Sequence, residues 1–366
     1  MIALAWRIAI VAMALAAALL PVPRGLVEQW YSRALYPALQ NVVTPVTNQM
    51  PVALLDLSVG ILLIATAWRL VQLCRRKGIL RGLAATAIGL VTVLATAYLA
   101  FLLIWGLNYR RLPLKEKLEL DETRITEEAA IRFASDATTR INALYQSAHL
   151  ETPPGPALEE AFSRAQIALG ASRTAVPGVP KASLLEAYFR WAAIDGMTNP
   201  FFLEIIVNPE VLPIEQPFVL AHEWAHLAGY ADESEANLVA WLTCLKGDAL
   251  AEYSGWMAMF GQVVSDMPKG SRRRISPVLA PGPEADFREI AARWTRARPA
   301  VRNFARETYD VFLRANRVEA GIGSYDQVVR LILGSGPENQ WAPRLRQQPG
   351  ARKQGPGTKT RHQGNS

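Results

Sequence analysis

Three long apolar stretches lead the chain, and a different rhythm follows them. Ile2 to Leu20 is apolar but for Arg7, Val52 to Cys74 carries only Asp56 and Arg69, and Leu83 to Leu107 runs 25 residues without a charge. A helix of about 20 apolar residues crosses roughly 30 Å of hydrocarbon, so the pattern predicts three transmembrane helices at about 2–20, 52–74 and 83–107. The first stretch has no small-x-small cleavage site after it and reads as an uncleaved anchor. Beyond Tyr109 the apolar positions recur at a spacing near 3.6, the mark of amphipathic helices. Helices are predicted over Glu122–Leu150, Ala157–Leu169, Phe218–Leu227, Glu233–Gly261, Glu284–Arg317 with a break or kink near Pro299, and Tyr325–Leu333. Phe202–Asn208, β-branched and bounded by Pro200 and Pro209, is the best strand candidate. The fold class expected is therefore mainly α: a transmembrane region over 1–109, a mostly helical domain over 110–334 with a small edge strand or sheet, and a tail from 335 to 366.

Charge changes this picture only at the end of the chain. The formal net charge is +7, but Arg344, Arg346, Arg352, Lys353, Lys359 and Arg361 against Glu338 place +5 of it in the tail. The tail is poor in apolar residues and rich in Gly, Pro and Gln, so it is expected to be disordered, and no nucleic-acid partner is inferred. Cys74 and Cys244, 170 positions apart, exclude a disulfide-stapled scaffold and read as small buried apolar residues. Arg75, Arg76, Lys77 and Arg81 fill the short loop after the second apolar stretch, which argues for a cytoplasmic loop and an extracytoplasmic domain. Arg110, Arg111, Lys115 and Lys117 after the third stretch weigh against that orientation.

Chemistry enters at His222-Glu223-Trp224-Ala225-His226, which is His-Glu-x-x-His in a chain with only four histidines. Residues four apart share a helix face, so both imidazoles can reach one ion, at about 2.0–2.1 Å each for Zn2+. Glu223, beside them, is placed to act as general base toward a water. Gly229 stands where a left-handed residue would end the helix and turn the chain. A catalytic zinc takes three protein ligands, and Asp232, Glu233 and Glu235 compete for the third place. The spacing of Asp232 follows the metzincin pattern His-Glu-x-x-His-x-x-Gly-x-x-ligand.

Glu233-Ser234-Glu235-Ala236-Asn237 resembles the Glu-x-x-Ala-Asp element of membrane-bound gluzincin peptidases, although gluzincins separate the second His from the Glu by more chain. That resemblance implies Glu233 as the zinc ligand and Asn237 as the residue that orients a ligand histidine. The three apolar stretches, Trp105-Gly106-Leu107-Asn108-Tyr109-Arg110, the His222-to-Asn237 motifs and Gly323-Ser324-Tyr325 together resemble a bacterial family of three-span membrane proteins known only as a domain of unknown function. Its members are regarded as zinc-metallopeptidase-like, with no substrate attached.

The expectation is a zincin-like metallopeptidase domain anchored in the bacterial inner membrane, with the domain on the extracytoplasmic side. It would cleave an amide bond of a peptide or membrane-protein substrate beside the lipid bilayer. His222, His226 and Glu233 would bind zinc and Glu223 would be catalytic. The alternative is a non-catalytic membrane protein with a structural or partner-binding zinc site; an amidase or deformylase acting on a non-protein amide is a third class. Leu203–Val207 is a candidate edge strand for an extended substrate, and Tyr325 a candidate donor to an oxyanion.

Overall fold

A computed structural model describes residues 2–151, 155–316, 327–336 and 343–346. Its helices are α1 (Ile2–Leu19), α2 (Arg24–Asn48), α3 (Leu54–Lys77), α4 (Ile79–Ile104), α5 (Glu127–Ala148), α6 (Pro156–Ala168), α7 (Glu186–Ala192), α8 (Gln216–Leu227), α9 (Glu233–Cys244), α10 (Ala249–Asp266), α11 (Pro281–Trp294), α12 (Pro299–Ala315) and α13 (Gln327–Gly334). Three short strands, β1 (Pro180–Lys181), β2 (Gly196–Asn199) and β3 (Glu204–Val207), form one sheet in the order β1-β3-β2.

Two helices, α3 and α4, are long and apolar enough to cross a membrane, and α1 with α2 makes a third candidate span, broken by a bend of 106°. Gly78, at φ 81°, turns α3 into α4, a conformation that costs a glycine little. The Arg110 guanidinium, just beyond α4, donates to the Ala17 carbonyl in the last turns of α1 at 2.8 Å, so α1 and α4 run the same way. Asp56 is a charge inside the predicted second span. It lies in the first turn of α3 and accepts from Ser183 Oγ at 2.8 Å and the Leu184 amide at 2.7 Å. Glu204, fully buried on β3, accepts from the Leu54 and Leu55 amides and pairs with Lys181 Nζ at 2.8 Å. A carboxylate on the open amides of a helix start is favoured by hydrogen bonding and by the macrodipole. The sheet therefore sits at the start of α3, and the Arg75–Arg81 loop lies at the opposite ends of α3 and α4.

Three expectations need correction. The helix predicted over Glu233–Gly261 is two, α9 and α10, because Asp248 caps a new start by accepting from the Ala251 amide at 2.8 Å. The run Glu284–Arg317 breaks near Pro299 as the sequence predicts, into α11 and α12, and Pro299 occupies the first turn of the second, where its missing N–H costs nothing. The Leu203–Val207 strand is not an edge: β3 is central, parallel to β1 and antiparallel to β2, and both β2 and β3 lie against α8. Residues 343–346, within the tail expected to be disordered, are tied to the domain: Leu345 bridges Leu118 and the Arg346 amide bonds the Lys117 carbonyl.

Helix α2 is not predicted by the hydrophobic pattern, and its buried face mixes Val27, Tyr31 and Tyr36 with polar residues. Gln40 and Thr44 are fully buried; Gln40 bonds both backbone groups of Val176, and Thr44 donates to the Leu203 carbonyl at 2.9 Å. Its middle, Val27–Leu35, is widened to a π-helix. One continuous core joins Tyr36, Phe101 and Trp105 from this amino-terminal region to Trp224, Trp241 and Trp256 on α8, α9 and α10.

Candidate metal centre

The site is built on α8 and the start of α9, and the turn between them explains how seven residues suffice. Gly229 takes φ 82°, the Tyr230 amide bonds the Ala225 carbonyl and the Gly229 amide bonds the His226 carbonyl. This is a Schellman ending, which reverses the chain and returns α9 alongside α8. Side chains from the amino-terminal segments add donors to the carbonyls at this helix end. Tyr36 donates to Leu227, Trp105 Nε1 to His226, and Arg111 to Gly229, at 2.6, 2.9 and 2.9 Å. Arg111 in turn pairs with Glu28 at 3.2 Å, and Lys117 with the same carboxylate at 3.0 Å.

The turn brings three ligand atoms together. His222 Nε2 and His226 Nε2 lie 3.1 Å apart, and Glu233 Oε2 is 3.2 Å from the first and 3.5 Å from the second. A tetrahedral ion with bonds of about 2.05 Å spaces its ligand atoms about 3.3 Å apart, so the triangle has the size of a tetrahedral face. The opposite ring nitrogens are held: His222 Nδ1 bonds Asn237 Oδ1 at 2.9 Å and His226 Nδ1 bonds the Tyr230 carbonyl at 2.8 Å. In the neutral ring, acceptors there hold the proton on Nδ1, so Nε2 is the nitrogen that can offer a lone pair to a cation. Glu233 Oε2 is buried with no hydrogen-bond donor among the described residues, in a trio of converging acceptors. Such a set is costly without a cation and suits one well. Zinc therefore fits the donor set by number, type and spacing.

Electrostatics of the protein alone point the same way. Burial opposes charge on Glu233, but His226 and His222 outweigh it and hold the carboxyl well below its ordinary range. Burial likewise opposes charge on His226, and the Glu233 carboxylate outweighs it, lifting the imidazole to about 9. The competing acids are elsewhere. Asp232 caps α9, accepting from the Ser234 and Glu235 amides at 2.9 and 3.3 Å. Glu235 accepts from the Leu114 amide, and burial, with Asp232 nearby, pushes its carboxyl up to about 7. Among the described residues, His222, His226 and Glu233 are the group of metal-ligating side chains that converges.

Glu223 is buried beside the imidazoles. Its Oε2 accepts from Thr198 Oγ1 on β2 at 2.8 Å, and Thr198 also bonds the Glu223 carbonyl. Burial raises its carboxyl above the ordinary range, against the pull of His222 and His226. Gly196 on β2 is required by this packing, since a Cβ there would lie 2.6 Å from Glu223 Oε1. Three residues near the site escaped sequence reasoning: Thr198, Gly196 and Tyr309. Tyr309 on α12 donates to Glu233 Oε1 and is hydrogen-bonded to Tyr109. Nothing in the local pattern marks them, because they come from strands and helices remote in sequence. Tyr325 lies outside the described residues.

No curated protein and no solved structure matches the chain. A family pattern described as a protein of unknown function, DUF3810, matches residues 31–333, and the chain belongs to that family.

Proposed function

We propose that this DUF3810 chain is a membrane-anchored, zinc-dependent hydrolase of the metallopeptidase type, cleaving an amide bond in a peptide or membrane-protein substrate at the membrane surface. The observation that carries the reading is the triangle of His222 Nε2, His226 Nε2 and Glu233 Oε2, with each opposite ring nitrogen already hydrogen-bonded. These three residues would hold the metal, and Asn237 and the Tyr230 carbonyl would orient the two rings. A zinc ion bound there would act as a Lewis acid and bring the pKa of a water from about 15.7 toward 7. Glu223 would take the water proton on Oε1 and pass it to the leaving nitrogen, while Thr198 holds Oε2 in place. Its raised proton affinity suits that task, since a base works best with a pKa nearer the operating pH.

The extracytoplasmic placement belongs to the same proposal. Arg75, Arg76, Lys77 and Arg81 sit at the far end of the α3–α4 hairpin from the site, which favours a cytoplasmic loop. Of the opposing cations, Arg111 and Lys117 are engaged with Glu28, and Arg110 with the Ala17 carbonyl.

A second reading, a non-catalytic zinc site that ties the membrane segments to the domain, draws on the bonds from Tyr36, Trp105 and Arg111 to the end of α8. Glu223→Gln separates the two. For a hydrolase, the detergent-purified variant keeps close to one zinc per chain and its melting temperature, while cleavage of a quenched peptide library falls roughly 10²–10⁴-fold. Glu233→Gln loses zinc and stability together. Full complementation of a deletion strain by Glu223→Gln with zinc bound would overturn the enzyme reading.

A further inference from the structure

We propose that α12 is a membrane-interfacial helix, with the flank carrying Phe304, Val311 and Phe312 seated in the lipid boundary next to the metal centre. Val301, Phe304, Thr308, Val311, Phe312 and Ala315 recur at helical spacings of three and four and form one apolar flank. Arg302, Arg306, Glu307, Asp310 and Arg314 form the other flank. Leu313 is the only buried residue of the helix, whereas Phe304 and Val311 are 65% and 68% exposed. A strongly amphipathic helix with arginines on the polar face and large apolar side chains left open has the composition of one that lies in the plane of a bilayer surface.

Continuity with the spans identifies lipid as the occupant. The Phe312 ring packs against Phe101 and Tyr109, with centroids 5.9 and 6.0 Å apart, and Phe101 lies in the last turn of α4. The open flank thus begins where that span ends. The same level is marked a second time, on the other arm of the hairpin. The Leu184 amide is bound by Asp56 in the first turn of α3, yet the Leu184 side chain is 91% exposed. Leu184 leads into α7, which packs against α12, with the Arg298 amide bonding the Trp191 carbonyl at 2.9 Å. Both membrane ends therefore share one apolar rim. The helix seated on it carries Tyr309, whose hydroxyl reaches Glu233, so a bilayer beneath α12 would hold this tyrosine over the site. The inference rests on α3 and α4 crossing the bilayer and needs neither zinc nor hydrolysis.

The test uses the full chain with Cys74→Ser, in phosphatidylcholine–phosphatidylglycerol nanodiscs; Cys244 is buried and leaves the background free of reactive thiols. Phe304→Cys, Val311→Cys and Glu307→Cys each place an environment-sensitive fluorophore on an exposed position. Phe304→Cys and Val311→Cys should be quenched several-fold more by shallow spin-labelled lipid than Glu307→Cys, and Glu307→Cys should be quenched by aqueous iodide. Iodide reaching all three labels equally would overturn the proposal. So would labels at 304 and 311 sheltered from both quenchers, which would mean that a protein partner or a second copy covers the flank.

Discussion

Replacing Asn237 by leucine should separate metal affinity from folding. In the wild type, Asn237 Oδ1 accepts from His222 Nδ1 at 2.9 Å, while its own Nδ2 is buried without a hydrogen-bond partner among the described residues. Leucine strands the ring N–H, at a cost of about 1–3 kcal/mol, but removes an already stranded amide donor of the same cost range. The two nearly cancel, so the metal-free variant should melt within a few degrees of the wild type. Metal affinity has no such compensation. A ring released at Nδ1 can carry its proton on Nε2, the atom 3.2 Å from Glu233 Oε2, and zinc must then displace it. Loss of such an orienting partner typically costs 10–100-fold in affinity, about 1.4–2.7 kcal/mol. Asn237→Asp, which keeps an acceptor and adds charge, should bind zinc at least as tightly as the wild type. Competition against a chromogenic zinc chelator measures affinity, and fluorimetric melting of the metal-free chain measures folding. A zinc Kd for Asn237→Leu within about twofold of wild type would refute the reasoning, as would a melting temperature that collapses in parallel.

Gly196→Ala would put a Cβ 2.6 Å from Glu223 Oε1, so peptide cleavage should fall roughly 10²-fold while metal analysis still finds zinc. The metal-free site holds a proton on His226 up to about 9, so zinc must release it. Affinity should rise about tenfold per pH unit toward that value, and equal affinities at pH 6.5 and 8.5 in the chelator assay would contradict the ligand assignment. Glu204→Gln strands the buried Lys181 ammonium and weakens the cap on α3, which should cost about 3–5 kcal/mol and lower the melting temperature in detergent. Adding Lys181→Met should recover part of that loss, and a double variant no better than the single would argue against the pair.

Local patterns were sufficient wherever one segment carries its own physics. Long apolar runs with few or no charges mark α3 and α4, the four-residue spacing of His222 and His226 puts both rings on one face, and Gly229 ends α8 where a left-handed residue is needed. Pro299 was legible as a break or kink, and the structure makes it the first turn of a new helix. What depends on the path of the chain through space was not legible. Three acids follow the motif within four residues, and only the reversal at Gly229–Tyr230 brings Glu233 to the imidazoles while directing Asp232 to an N-cap and Glu235 to the Leu114 amide. Helix α2 hides in sequence because its buried face mixes apolar side chains with Gln40 and Thr44, which are buried by hydrogen bonds to distant backbone groups. Thr198, Gly196 and Tyr309 reach the site from positions 24 to 87 residues away from His222, and Trp105 does so from the end of α4. Periodicity reports which face of an element is apolar; which partners meet across those faces is settled by the packing of the whole chain.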